Sequence, residues 1–158
     1  MKNLAAICVV VLAFSSTAFS QSRAFEEARR IGHGTTRSFF LFSTTTAKYA
    51  IRHDGFGEVS SGGKRKEVFQ LNFSLPSRLE RIYFTEYQGE LLLLYELSDG
   101  RSNTRALLRM NQQTRKIRWL KWLGINDVES CMVDGDEVRC GSPDDLTKID
   151  LKTGKPIN

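Results

Sequence analysis

Leu107-Leu108-Arg109-Met110-Asn111-Gln112-Gln113-Thr114-Arg115-Lys116-Ile117-Arg118-Trp119 decides the fold, because it has a second copy. Thirty-nine residues later the chain runs Leu146-Thr147-Lys148-Ile149-Asp150-Leu151-Lys152-Thr153-Gly154-Lys155. Each copy is an apolar alternation closed by Asn or Asp, then Thr-x-Lys three residues on. A weaker copy, Val68-x-x-Leu71-Asn72, precedes the first by the same 39 residues. Repeats of ~40–45 residues belong to blade-type β architectures.

The rest of the chain fits short strands. Phe39 to Phe42 is a brief apolar run, and Glu67 to Leu75 and Arg81 to Tyr87 alternate. Gln88-Gly89 and Asp99-Gly100 are turn signals. Leu91 to Tyr95 is apolar without interruption, which predicts a strand buried on both faces. Further strands are expected at about 104–110, 115–123 and 146–151. Only Ser22 to Ile31 reads as a helix: Ser22 can cap it, Glu26 and Arg30 are four apart, and Gly32 can end it.

Lys148 to Ile157 resembles the repeat of quinoprotein-type (PQQ-like) β-propellers, roughly A-L-D-x-x-T-G-K-x-x-W. Met110 to Trp119 is similar and keeps the tryptophan, with Arg115 where the family has glycine. The resemblance implies antiparallel blade-like sheets in a partial β-propeller. It implies that Asn111 and Asp150 hold turn amides and that Trp119 plugs between neighbouring blades. It implies no particular activity. About three blades are expected, against four to eight in a closed ring. An incomplete ring, an open stack or a ring assembled from several chains all remain open.

Residues 1–20 have the form of an export signal: Lys2, eleven apolar residues from Leu4 to Phe14, then small Ala18 and Ser20 before a cut near Ser20-Gln21. Eleven is short of the ~20 that span a bilayer. The expected order is therefore a signal at 1–20, a helix and linker at 21–36, and one all-β domain at 37–158. The location expected is secreted or periplasmic, with no transmembrane span after cleavage. Cleavage removes Lys2 and Cys8 and takes the net charge from +5 to +4 (22 basic against 18 acidic). With 41% hydrophobic residues and three prolines, the composition excludes a disordered or collagen-like chain.

Cys131 and Cys140 remain in an oxidising compartment. With Gly135-Asp136 as a two-residue loop they fall opposite each other at a non-hydrogen-bonded position, which suits a disulfide.

From Gly100 to Asn126 there are seven basic residues and no acid; from Asp127 to Asp150 there are eight acids and two bases. Arg115, Lys116, Arg118, Trp119, Lys121 and Trp122 form a candidate basic and aromatic face, on a strand with a bulge expected near Leu120. Such a face suits a protein or another anionic macromolecule, or it pairs with the acidic unit across a blade contact. Nucleic acid is not expected as a partner; self-association through open sheet edges is. His53-Asp54 with Ser60 or Ser61 is the one conceivable hydrolytic set, and His33 is the other histidine. No cofactor motif or metal-ligand spacing occurs, and no catalytic residue is assigned. The leading expectation is an exported, non-enzymatic interaction module. The alternative is a small hydrolase or a fragment of a quinoprotein-like oxidoreductase.

Overall fold

In a computed structural model, described for residues 22–32, 38–62, 67–73, 77–124, 130–142 and 144–157, the chain is all-β. Three strands come from the N-terminal segment: β1 (Arg23–Ala24), β2 (Glu26–Glu27) and β3 (Arg29–Ile31). Sheet I adds β4 (Phe39–Ser43), β5 (Lys48–Arg52), β6 (Phe56–Ser60) and β7 (Glu67–Gln70). Sheet II adds β8 (Arg78–Tyr87), β9 (Glu90–Ser98), β10 (Asn103–Asn111) and β11 (Ile117–Leu123). Sheet III adds β12 (Met132–Asp134), β13 (Glu137–Ser142) and β14 (Asp145–Asp150). Within each sheet these strands follow one another as an antiparallel meander, and no sheet closes on itself.

The layers stack in the order I, II, III. In β9, Leu91, Leu93, Tyr95 and Leu97 pack toward sheet I, where they meet Phe40, Tyr49, Ile51 and Val59. Leu92 and Leu94 pack toward sheet III, where they meet Val133, Val138, Ile149 and the cysteines. The uninterrupted apolar run thus lies in the middle layer, covered on both sides as expected. Phe42 bridges the first joint, stacked on Tyr49 of its own sheet at 4.8 Å and on Phe84 of sheet II at 4.5 Å.

The expected helix over Ser22 to Ile31 is not formed. The segment is an extended strap that crosses the inner edge of the whole stack. β1 pairs with β12, β2 with β8 and β3 with β4, so each sheet receives one short strand on its first strand. Phe25 inserts into the layer between sheets II and III, and Ala28, 5% exposed, into the layer between I and II. Arg30 reaches Glu80 at 3.3 Å instead of a helical Glu26. Isolated helices of this length are marginal in water, and three open sheet edges offer the backbone better partners. The segment is therefore part of the β domain, not a linker.

The Cys131–Cys140 disulfide is present, with Cα atoms 4.0 Å apart. It closes the hairpin in which Asp134 opposes Glu137 across Gly135-Asp136, with Gly135 at φ 60°. Closing so short a loop is worth about 2–3 kcal/mol in the chain-entropy account. Replacing both cysteines by alanine is expected to lower the unfolding free energy from urea titration by that amount, with the Cys131–Cys140 link lost from non-reduced peptide maps.

The repeat is structural in its last two copies. Asn111 and Asp150 end the third strands, β10 and β14. Asn111 Oδ1 accepts from the Thr114 amide at 2.8 Å, and Asp150 Oδ1 from the Thr153 amide at 2.7 Å. The main chain repeats as well: the amides of Arg115 and Gly154 donate to the Asn111 and Asp150 carbonyls at 2.9 and 2.8 Å. The weak first copy is not equivalent. Leu71-Asn72 follows β7, the fourth strand of sheet I, whereas the third strand there is β6. Leu71 matches the apolar pattern because it is buried, its amide bonded to the Gly55 carbonyl at 3.0 Å.

Candidate interaction surface on strand β11

β11 is the outer edge of sheet II: β10 holds one side and no described strand holds the other. The bulge is at Arg118 rather than near Leu120. Arg109 faces Trp119 and Met110 faces Ile117, so Arg118 is the extra residue. Trp122 needs no bulge, because both faces of sheet II are covered. Leu120 packs toward sheet I, Trp119 and Leu123 toward sheet III.

The six candidate residues separate into two groups. Trp119 belongs to the joint with sheet III. Its indole N–H donates to the Leu151 carbonyl at 2.8 Å, and its ring lies against Gly154, where a Cβ would be 2.7 Å from it. Arg118 pairs with Glu90 at 3.1 Å, beside Arg109, which bonds the same carboxylate and donates to the Leu151 carbonyl at 2.5 Å. Arg115 crosses to sheet I, reaching Glu67 at 3.2 Å and lying over the Tyr49 ring. This reach goes with a left-handed backbone, φ 59°, at the position where Gly154 stands in the other turn. Lys116, Lys121 and Trp122 remain outside the joints. Both lysines lack an ion-pair partner among the described residues, and Trp122 is 49% exposed.

The basic segment therefore pairs mostly with carboxylates of sheets I and II (Glu67, Glu90 and, through Arg105, Glu96 at 3.1 Å), not with the acidic unit. The carboxylates that matter were not singled out from the sequence. Glu86 and Glu90 bracket the Gln88-Gly89 turn at the ends of apolar strands, a place where a carboxylate needs a cation or donor. Burial opposes ionisation of Glu90, but the bonds from Arg109 and Arg118 outweigh it and hold its carboxyl below the usual range. Burial likewise opposes ionisation of Glu86, and bonds from Gln112 and Thr45 outweigh it. Gln112, 4% exposed, locks the first joint. Its amide N–H donates to Glu86 at 2.9 Å, and its carbonyl accepts from Thr44 at 2.8 Å and Thr46 at 3.1 Å.

A folded pKa below the unfolded one contributes stability above the unfolded value that is lost as pH falls through the folded value. The unfolded reference for Glu90 is 4.5. Unfolding titrations are expected to show an acid limb below that pH, and Glu90→Gln to flatten it while costing about 1.5–3 kcal/mol at neutral pH.

The hydrolytic set is not assembled. The Asp54 carboxylate is engaged by the Arg52 guanidinium and by the Phe56 amide at 3.1 Å. His53 lies in the turn between β5 and β6, whereas Ser60 ends β6, which from Phe56 onward extends roughly 13 Å away from that turn. His33 lies outside the described residues. Two clefts of about 510 and 620 Å³ flank the Thr44–Thr46 turn, whose hydroxyls are already committed to Gln112 and Glu86. No family model matches the chain, and neither a curated protein nor a solved structure matches it.

Proposed function

We propose that this chain is an exported, non-enzymatic interaction module built of propeller-like sheets, which engages an extended acidic segment of another envelope or extracellular protein along β11. The observation that carries the reading is the open β11 edge with its divided chemistry. Lys121 lies on the sheet III side and Trp122 on the sheet I side of one strand. They share no flat patch, which disfavours a broad polyanion surface. A strand added to the edge meets both, through main-chain hydrogen bonds and alternate side chains. The Asx turns at Asn111 and Asp150, with Trp119 seated between sheets, support kinship with quinoprotein-type blades. The disulfide supports an oxidising location, and among the described residues no helix is long and apolar enough to cross a membrane. Residues 1–20, expected from sequence to be an export signal, lie outside the described residues.

The test is titration with a peptide of alternating glutamate and valine, followed by tryptophan fluorescence. A saturable change is expected, weakened by salt and abolished by Lys116→Glu with Lys121→Glu. Absence of peptide binding, or binding of heparin alone, counts against the reading.

A further inference from the structure

Among the described residues the stack has two uncovered ends, and the joints inside it show what fits them. Sheet I meets sheet II through the face that carries Phe40 and Phe42. Sheet II meets sheet III through the next equivalent face, that of Tyr83 and Leu92. All three sheets run in the same strand order and take the strap on the same strand. The outer face of sheet III is therefore the continuation of the faces that already receive a neighbour. The outer face of sheet I is the kind that is already received.

Both ends carry apolar side chains that a free surface does not need. On sheet I, Arg29, Leu41, Ala50, Glu58 and Val68 form one cross-strand row, and Val68 is 61% exposed. The small Ala50 leaves a cleft of about 340 Å³ there, with Arg29 and Lys48 among its walls. On sheet III, Met132 and Leu146, each 42% exposed, project from the outer face. The charges are opposed. On sheet I the strands present Arg29, Lys48 and Arg52 with Glu58, Arg52 being held by Asp54; on sheet III they present Asp134, Glu137 and Asp150 with Arg139 and Lys148, Arg139 being shared by Asp134 and Glu137, so the excess is basic on the first and acidic on the second. Arg29 and Lys48 have no ion-pair partner among the described residues.

We infer that the occupant of each end is a second copy of this chain. The outer face of sheet III seats on the outer face of sheet I of the partner, with Met132 over the Ala50 cleft. A head-to-tail contact closes into a ring or grows into a fibre. Blade rings hold four to eight sheets. With three sheets from each chain, six is the multiple of three in that range, so two chains close the ring through two equal joints. This surface is separate from β11 and does not rest on the peptide-binding reading; the count of two chains rests on the propeller-like reading of the sheets.

The experiment is light scattering on the exported chain at micromolar concentration, with far-UV circular dichroism as the control for fold. The wild-type chain is expected at twice the chain mass. Ala50→Arg fills the cleft and Met132→Glu puts a charge where a methionine seats; both positions are on outer faces. Each variant alone is expected at the monomer mass with an unchanged spectrum. Mixed in equal amounts they are expected to return to the dimer mass. One joint is then wild-type, and the other sets the introduced carboxylate against the introduced guanidinium. A wild-type monomer overturns the inference. So does a dimer that survives either substitution, a dimer broken by one variant only, or growth of the wild type beyond two chains.

Discussion

Replacing Ala28 by glutamate is expected to abolish cooperative folding, or to leave a chain that unfolds at a small fraction of the wild-type urea concentration. Ala28 sits in the middle of the strap with its amide bonded to the Ile82 carbonyl at 2.8 Å. Its methyl points into the apolar layer between sheets I and II. A carboxylate there enters a layer of apolar side chains, and burying a charge without a dedicated partner costs several kcal/mol. Domains of this size hold ~5–15 kcal/mol in total. Glu27→Ala, on the exposed neighbour, is the control and is expected within about 0.5 kcal/mol of wild type. A wild-type midpoint for Ala28→Glu in denaturant titrations followed by circular dichroism would show that the strap is not tied into the core.

The second large effect is expected at the joint between sheets II and III. Gly154 has φ 70°, and a Cβ there lies 2.7–3.0 Å from three atoms of the Trp119 ring. Gly154→Val meets two separate penalties. The left-handed backbone costs a β-branched residue about 1–2 kcal/mol, and overpacking against the indole about 1–3 more. A loss near 3 kcal/mol corresponds to roughly 10 °C in Tm for a chain of this length. The two penalties separate in a double-mutant cycle. Trp119→Ala removes the ring and so removes the steric part, leaving the backbone part. The pair of substitutions is then less destabilising than the sum of the singles. Additive losses would show that Gly154 and Trp119 are not packed as described.

How much of this was legible from sequence depends on how local each signal is. The hairpin at Cys131 to Cys140 needs only its own ten residues, and its register follows from Gly135 and strand alternation. The turns at Asn111 and Asp150 are equally local, because side chain and amides lie within three residues. Leu91 to Tyr95 announces burial on both faces without saying which layers cover it. The strap carries the opposite kind of information. Nothing within Ser22 to Ile31 tells that Arg23 pairs with Val133, and its capping residue and charge spacing favour a helix that tertiary pairing overrides. β5 and β6 escape a sequence reading because Lys48 to Ser60 is short, glycine-broken and rich in charge on its outer face. The candidate face on β11 was half legible. Composition marked the basic residues, but which of them are spent on Glu67 and Glu90 is settled by partners 28 to 48 residues away in sequence.

The strap also sets an order of events. Each meander pairs neighbours in sequence and can form as soon as its own strands are free. The strap cannot finish so early. Its first strand waits for β12, about a hundred residues downstream, and its last for β4. Contacts so distant in the chain slow the final step relative to local hairpins. The earliest segment to emerge is thus the latest to lock. Until the C-terminal sheet has arrived, β1 has no edge to pair with, and that interval is when this end of the strap is most exposed to mispairing.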